Sequence, residues 1–179
     1  SFHHYIGSSA DTNWIHQYTT NLSHQYNVPL WIGEFGENSN SWAYNKINLF
    51  ENNNIGWSWW NYKSIERISS LLSYKINSDY QQVIDYWGGK ISKPDTNTAY
   101  QGLISMAESI HFDSCHINQG LIRALIDTSY NTVKVSYENF QPPGLLPATS
   151  YDVGNNNIAY FDNQIEDPSK FSPETKSWN

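Results

Sequence analysis

Residues 28–42 read Val-Pro-Leu-Trp-Ile-Gly-Glu-Phe-Gly-Glu-Asn-Ser-Asn-Ser-Trp, and residues 55–63 read Ile-Gly-Trp-Ser-Trp-Trp-Asn-Tyr-Lys. Each holds a short apolar run, Leu30 to Phe35 and Ile55 to Trp60, rich in β-branched and aromatic residues and without strict alternation. Such runs fit strands of a parallel sheet covered by helices. Between them Ala43, Ile47 and Phe50 recur at i, i+4 and i+7, behind Ser39 or Asn40 as N-cap, and this spacing predicts a helix. Strand, helix and strand make one right-handed crossover. The first run carries Gly33-Glu34-Phe35-Gly36, so a carboxylate stands at the C-terminal end of a parallel strand, where barrel folds place their chemistry. The expected fold class is α/β.

Upstream of this stretch, Phe2 to Ile6 is expected to be the tail of a strand. A helix capped by Asp11 or Thr12 follows to about Tyr26, with Trp14, Ile15, Tyr18 and Leu22 as its apolar stripe. Pro29 ends it, because the residue before a proline avoids the helical region. Downstream, Ile65, Ile68, Leu71 and Leu72 have helical spacing, which predicts a helix over Ser64 to Leu72. Ser78 is expected to cap a helix bearing Tyr80, Val83, Ile84 and Trp87, stopped by Gly88-Gly89. A longer amphipathic helix after Pro94-Asp95 carries Ala99, Leu103, Met106 and Ile110, and a short one from about Asn118 to Asp127 carries Leu121, Ile122, Leu125 and Ile126. From Thr128 the texture changes: Tyr130 to Gly144 has no helical period and ends in Gln141-Pro142-Pro143-Gly144, which reads as a linker.

A net charge of −7 over 179 residues argues against nucleic acid or an anionic membrane as partner. No apolar run is long enough to span a bilayer. Aromatic residues make up 16% of the chain, a content that serves either a packed core or stacking on sugar faces. Cys115 is the only cysteine, so no intrachain disulfide forms, and nothing around it suggests catalysis. His16, His24, His111 and His116 lack the spacing of three or four convergent ligands, so neither a metal nor another cofactor is expected.

Trp31-Ile32-Gly33-Glu34-Phe35-Gly36, Gly56-Trp57-Ser58-Trp59-Trp60-Asn61-Tyr62-Lys63 and Phe2-His3-His4-Tyr5 together resemble the ends of the seventh, eighth and sixth strands of glycoside hydrolase family 5. The resemblance covers roughly 1–109 and looks nearest to bacterial multimodular cellulases, where Gly-Glu-x-Gly-Glu-Asn-Ser-Asn recurs. It implies that 1–128 is the C-terminal portion, strands six to eight with their helices, of a (β/α)8 barrel, a fold that needs about 250 residues. Residues 129–144 would be a linker. Leu145 to Gly154 and Ile158 to Asp162 resemble the opening strands of a family 6-type carbohydrate-binding module, a β-sandwich, and 145–179 would be its truncated start. Ala148-Thr149 stands where those modules often carry Ala-Glu, so a usual calcium-ligating carboxylate is absent.

A retaining glycosidase needs two carboxyl groups about 5–5.5 Å apart, one attacking the anomeric carbon and one protonating the leaving oxygen. The resemblance implies Glu34 as the nucleophile, Tyr5 as a hydrogen-bond donor to it and His3 as a contact to a substrate hydroxyl. His4 should point to the other face of its strand. Trp60 matches the tryptophan that floors the sugar beside the cleaved bond, with Trp59 turned into the wall. Lys63 either reaches a more distant sugar or is solvated. Trp42 either lines the cleft or staples the helix, and Glu37, with Asn38 beside it, either meets substrate or serves the N-terminus of the following helix. The acid/base glutamate of an Asn-Glu-Pro has no counterpart here, so this chain alone is expected to show no turnover.

The implied parent is a secreted, monomeric endo-β-1,4-glucanase whose partner is a cellulose-like β-glucan. β-Mannan or another β-glucan is the alternative substrate on the same scaffold. A non-catalytic carbohydrate-binding protein is the alternative from a different class.

Overall fold

A computed structural model describes residues 1–5, 12–137, 139–141, 143–145 and 150–163. The chain is mixed α/β with two small sheets, and no closed barrel is formed among the described residues. It divides into two compact units, Ser1–Asn61 with Gln119–Asn179, and Tyr62–Asn118.

The first unit is built on a three-stranded parallel sheet in the order β1 (Phe2–His4), β2 (Leu30–Gly36), β3 (Ile55–Trp60). Helix α1 (Asn13–Tyr18) follows β1 and runs on through a π-helical turn at Thr19–His24; of its expected stripe Ile15 is buried, while Tyr18 and Leu22 are exposed. The candidate cap Asp11 lies outside the described residues. Helix α2 (Asn40–Asn52) is the crossover between β2 and β3. Ser39 caps it, its side chain accepting a hydrogen bond from the Trp42 N–H at 3.1 Å. That satisfies one of the donors a helix start leaves open. Ala43, Ile47 and Phe50 are all buried, as their spacing requires.

The register of the sheet explains the missing alternation in β2. Against β1, Phe2 pairs with Ile32 but His3 with Glu34; against β3, Ile32 pairs with Trp57 but Phe35 with Trp59. On both sides β2 therefore carries one extra residue at Gly33-Glu34, a bulge. Without it Ile32 and Glu34 would share a face. With it, Ile32 and Phe35, both 0% exposed, turn together toward the helices, and Glu34 is left on the opposite face. The neighbours agree. Phe2 stacks on Tyr18, His4 on Trp14 and Trp42, and Phe35 meets Phe50, Trp57 and Trp59 edge-on at 5.1–5.6 Å. Burying each large apolar side chain in such a layer stabilises the fold by roughly 1.5–3 kcal/mol.

Helix α5 (Gln119–Ile126) packs on α2 through Leu121, Ala124 and Leu125, leaving Ile126 exposed. Several of the residues beyond it, where a linker and the start of a module were expected, are tied to α2 and α5. Tyr130 is 1% exposed against Tyr44, and burial, together with the nearby Tyr160, raises its hydroxyl pKa well above the ordinary phenol value. Val135 and Val153 form an antiparallel bridge. Ser41 hydrogen-bonds the Tyr160 hydroxyl at 2.6 Å and accepts from the Asn156 N–H at 3.1 Å. Residues 146–149 and 164–179, which hold much of the expected module, lie outside the described residues.

In the second unit β4 (Lys63–Ile65) pairs in parallel with β5 (Leu72–Tyr74), which pairs antiparallel with β6 (His116–Ile117). The helix expected over Ser64 to Leu72 is not formed; the apolar residues at helical spacing sit in two short strands and the turn between them, where Glu66 has φ 47°. Helices α3 (Ser78–Trp87) and α4 (Thr96–Ser109) pack on each other. Asn77, not Ser78, caps α3, and Asp95 caps α4. The stripe expected on α4 is also displaced: Met106 is buried with Gly102, while Leu103 and Ile110 are more than two-fifths exposed. A Cβ on Gly102 would lie 2.6 Å from the Tyr80 nitrogen, so the contact is made by a residue without a side chain. Among the described residues no helix is long and apolar enough to cross a membrane.

Candidate functional site

The open face of the parallel sheet gathers the residues singled out in the sequence. The bulge turns Glu34 out of the helix-covered layer, and its side chain is 23% exposed. The Tyr5 hydroxyl, just past the end of β1, donates a hydrogen bond to Glu34 Oε1. His3 Nδ1 stands 3.6 Å from the same oxygen, an ion-pair distance when the ring is protonated. Both contacts converge on Oε1.

The Tyr5 hydroxyl is raised far above its ordinary pKa, first by burial, then by its hydrogen bond to Glu34 and by the charges of Glu34 and Glu37. It stays protonated through the working range of any enzyme and remains a donor to the carboxylate.

Glycine supports the site at two points. Gly36, φ +151°, is where β2 approaches β3, and a Cβ there would be driven into the Trp60 carbonyl oxygen. Gly33 faces the Ser1 side chain: a Cβ at this position would lie 3.2 Å from Ser1 Oγ and 3.8 Å from the His3 ring edge. Trp60 pairs with Gly36 in register and is 46% exposed, whereas Trp59 packs edge-on against Phe35 in the covered layer. The Trp60–Asn61 peptide is cis. An exposed indole on the strand next to the one that bears Glu34 offers an apolar face on which a sugar ring could stack.

Other candidates fall elsewhere. Trp42 is 0% exposed, stacked on His4 with Lys46 Nζ 5.7 Å from its ring centroid, so of its two expected roles it occupies the one in the helix packing. Asn38 is 3% exposed and its side-chain oxygen accepts from the Ser39 N–H at 2.8 Å, which turns it inward to the loop. Glu37 adopts the left-handed conformation, φ 54°, and its charge is felt at Tyr5, while Ser39 takes the cap position. Lys63 belongs to the second unit, where its ammonium donates to the Ile110 carbonyl. Cys115 is half-buried, its thiol 3.3 Å from the His111 carbonyl oxygen.

Sequence reasoning missed the bulge. Its signal was present, because a glycine inside a strand pattern often marks one. Trp31, half exposed on the open face, was also not singled out; its indole lies where a side chain on Gly56 would have to go. Comparison with protein-family models, with curated proteins and with solved structures finds no match to this chain.

Proposed function

We propose that the first unit carries the nucleophile half of a retaining glycoside hydrolase site acting on β-1,4-glucan, on the sixth, seventh and eighth strands of a (β/α)8 barrel. The observation that carries the reading is Glu34, turned onto the open face at the C-terminal end of a parallel strand, with the Tyr5 hydroxyl on Oε1 and the half-exposed Trp60 on the next strand.

In this reading Oε2 attacks the anomeric carbon as the glycosidic bond breaks, and a glycosyl ester forms on Glu34. Tyr5 fixes the plane of the carboxylate, so that one oxygen is anchored and the other is aimed. Trp60 supports the sugar that becomes attached. His3, whose side chain is 58% exposed, contacts a substrate hydroxyl beside the nucleophile. Water later attacks the ester at the same carbon, and the configuration is retained.

The proton donor is assigned to a residue outside these 179, since the chain has no Asn-Glu-Pro. The purified chain should therefore release no reducing sugar from carboxymethyl-cellulose, and release of sugar would contradict that assignment. In the parent protein Glu34→Gln should lower turnover by roughly three orders of magnitude or more, as expected when a covalent nucleophile is lost. Undiminished turnover would remove Glu34 from the chemistry. Parallel assays on mannan and xyloglucan separate the glucanase from its neighbours in specificity.

A further inference from the structure

An open groove of about 860 Å³ lies wholly within the second unit. That volume is within the range of small-molecule sites, about 300–1,000 Å³. Glu66 enters it from the turn after β4, Tyr74 from β5 and Lys75 just beyond it, Glu108 from α4 and His116 from β6. Ser73, Ser105, Ser109, Ser114 and Ile68 complete the lining.

The chemistry of this wall is selective. The side chains of Glu66, Lys75, Glu108 and His116 make no hydrogen bond or ion pair with other described residues, so their capacity is open. Two carboxylates accept only, one ammonium donates only, and the serine hydroxyls do both. Two negative charges against one positive charge disfavour phosphate or a carboxylate ligand. Glu66 is held in the left-handed region at φ 47°, its N–H bonded to the Tyr74 carbonyl at 3.0 Å. The Tyr74 hydroxyl is raised above its ordinary pKa, first by burial and then by Tyr80 and Cys115, and so stays a neutral donor.

We propose that this groove binds a neutral polyhydroxylated ligand, a short oligosaccharide whose hydroxyls donate to Glu66 and Glu108 and accept from Lys75 and the serines. The ligand class follows from the groove itself; choosing a β-glucan oligomer as the probe rests on the function proposed above.

The test is a titration of the isotope-labelled 179-residue chain, followed by amide chemical shifts. The probes are cellotetraose, a tetramer of glucosamine as a cationic analogue, and inorganic phosphate. Cellotetraose should produce saturable shifts at Ser73, Tyr74 and His116, and these should persist in Glu34→Gln. Glu66→Gln and Glu108→Gln should each weaken that response roughly tenfold, as for loss of a hydrogen bond to a charged acceptor. Glu108 is exposed on α4, so its variant keeps the test valid if Glu66→Gln perturbs the turn. Cellotetraose shifts confined to His3, Glu34 and Trp60, or a groove that answers only to the cationic tetramer or to phosphate, would overturn the proposal. Neither result touches the role of Glu34, which is read from turnover of the parent.

Discussion

The two units use short strands in opposite ways. In the first, strands of three to seven residues run parallel, one helix covers their crossover, and aromatic side chains fill the layer between. In the second, strands of two or three residues pair partly in parallel and partly antiparallel beside a helix pair that meets at a glycine, Gly102. Large side chains order the first unit, and the same layer leaves one carboxylate on its bare face. Backbone proximity orders the second, and its polar side chains are left to line a groove. A layer packed by large side chains is easily damaged by truncation, and one packed by backbone contact is damaged by enlargement.

That contrast can be tested by substitution. Phe35→Ala should destabilise the first unit by about 3–5 kcal/mol, the usual cost of emptying a buried phenylalanine site. Trp31→Ala on the open face of the same strand should cost far less. Urea unfolding measures both, and equal losses would show that β2 has no covered face. Gly102→Ala should destabilise the second unit by about 1–3 kcal/mol through overpacking against the start of α3. Hydrogen exchange in α3 and α4 reports it, and an unchanged or more protected pair would mean that the helices separate without cost. Ser39→Ala should cost about 1 kcal/mol, the value of an N-cap, and should be felt in α2.

The smallest effect is in the acid limb of stability. Asp127 is pulled down to about 2 from an ordinary 3.8, first by the Ser129 hydroxyl and then by Arg123. A carboxyl depressed in the folded state stabilises it above the unfolded value and loses that contribution as the pH falls through the folded one. In Asp127→Asn the fall in stability between about 3.8 and about 2 should be shallower than in the parent chain. An identical slope would mean that the carboxylate is already protonated there.

Much of the first unit was legible. The apolar runs gave β2 and β3, the i, i+4, i+7 spacing gave α2, and period-two reasoning separated His3 from His4 and Trp60 from Trp59. What hid was the bulge, because counting apolar residues cannot tell an extra residue in a strand from a lapse in alternation. The second unit was read less well. Ile65, Ile68, Leu71 and Leu72 fit a helix and fit two three-residue strands about equally, and the left-handed Glu66 that decides between them has no marker in its side chain. On α4 the buried face is centred on Gly102, which a search for apolar side chains passes over. Trp42 was ambiguous because an indole suits a cleft and a core alike, and only its full burial separates the two.

The most direct test of the proposed nucleophile is mass mapping, after inactivation with a mechanism-based fluorosugar of the glucan series, of the longer protein that the proposal calls for. The expected result is one added glycosyl mass on the peptide that contains Glu34, absent from Glu34→Gln. A label on any other residue, with Glu34 unmodified, would contradict its assignment as the attacking carboxylate.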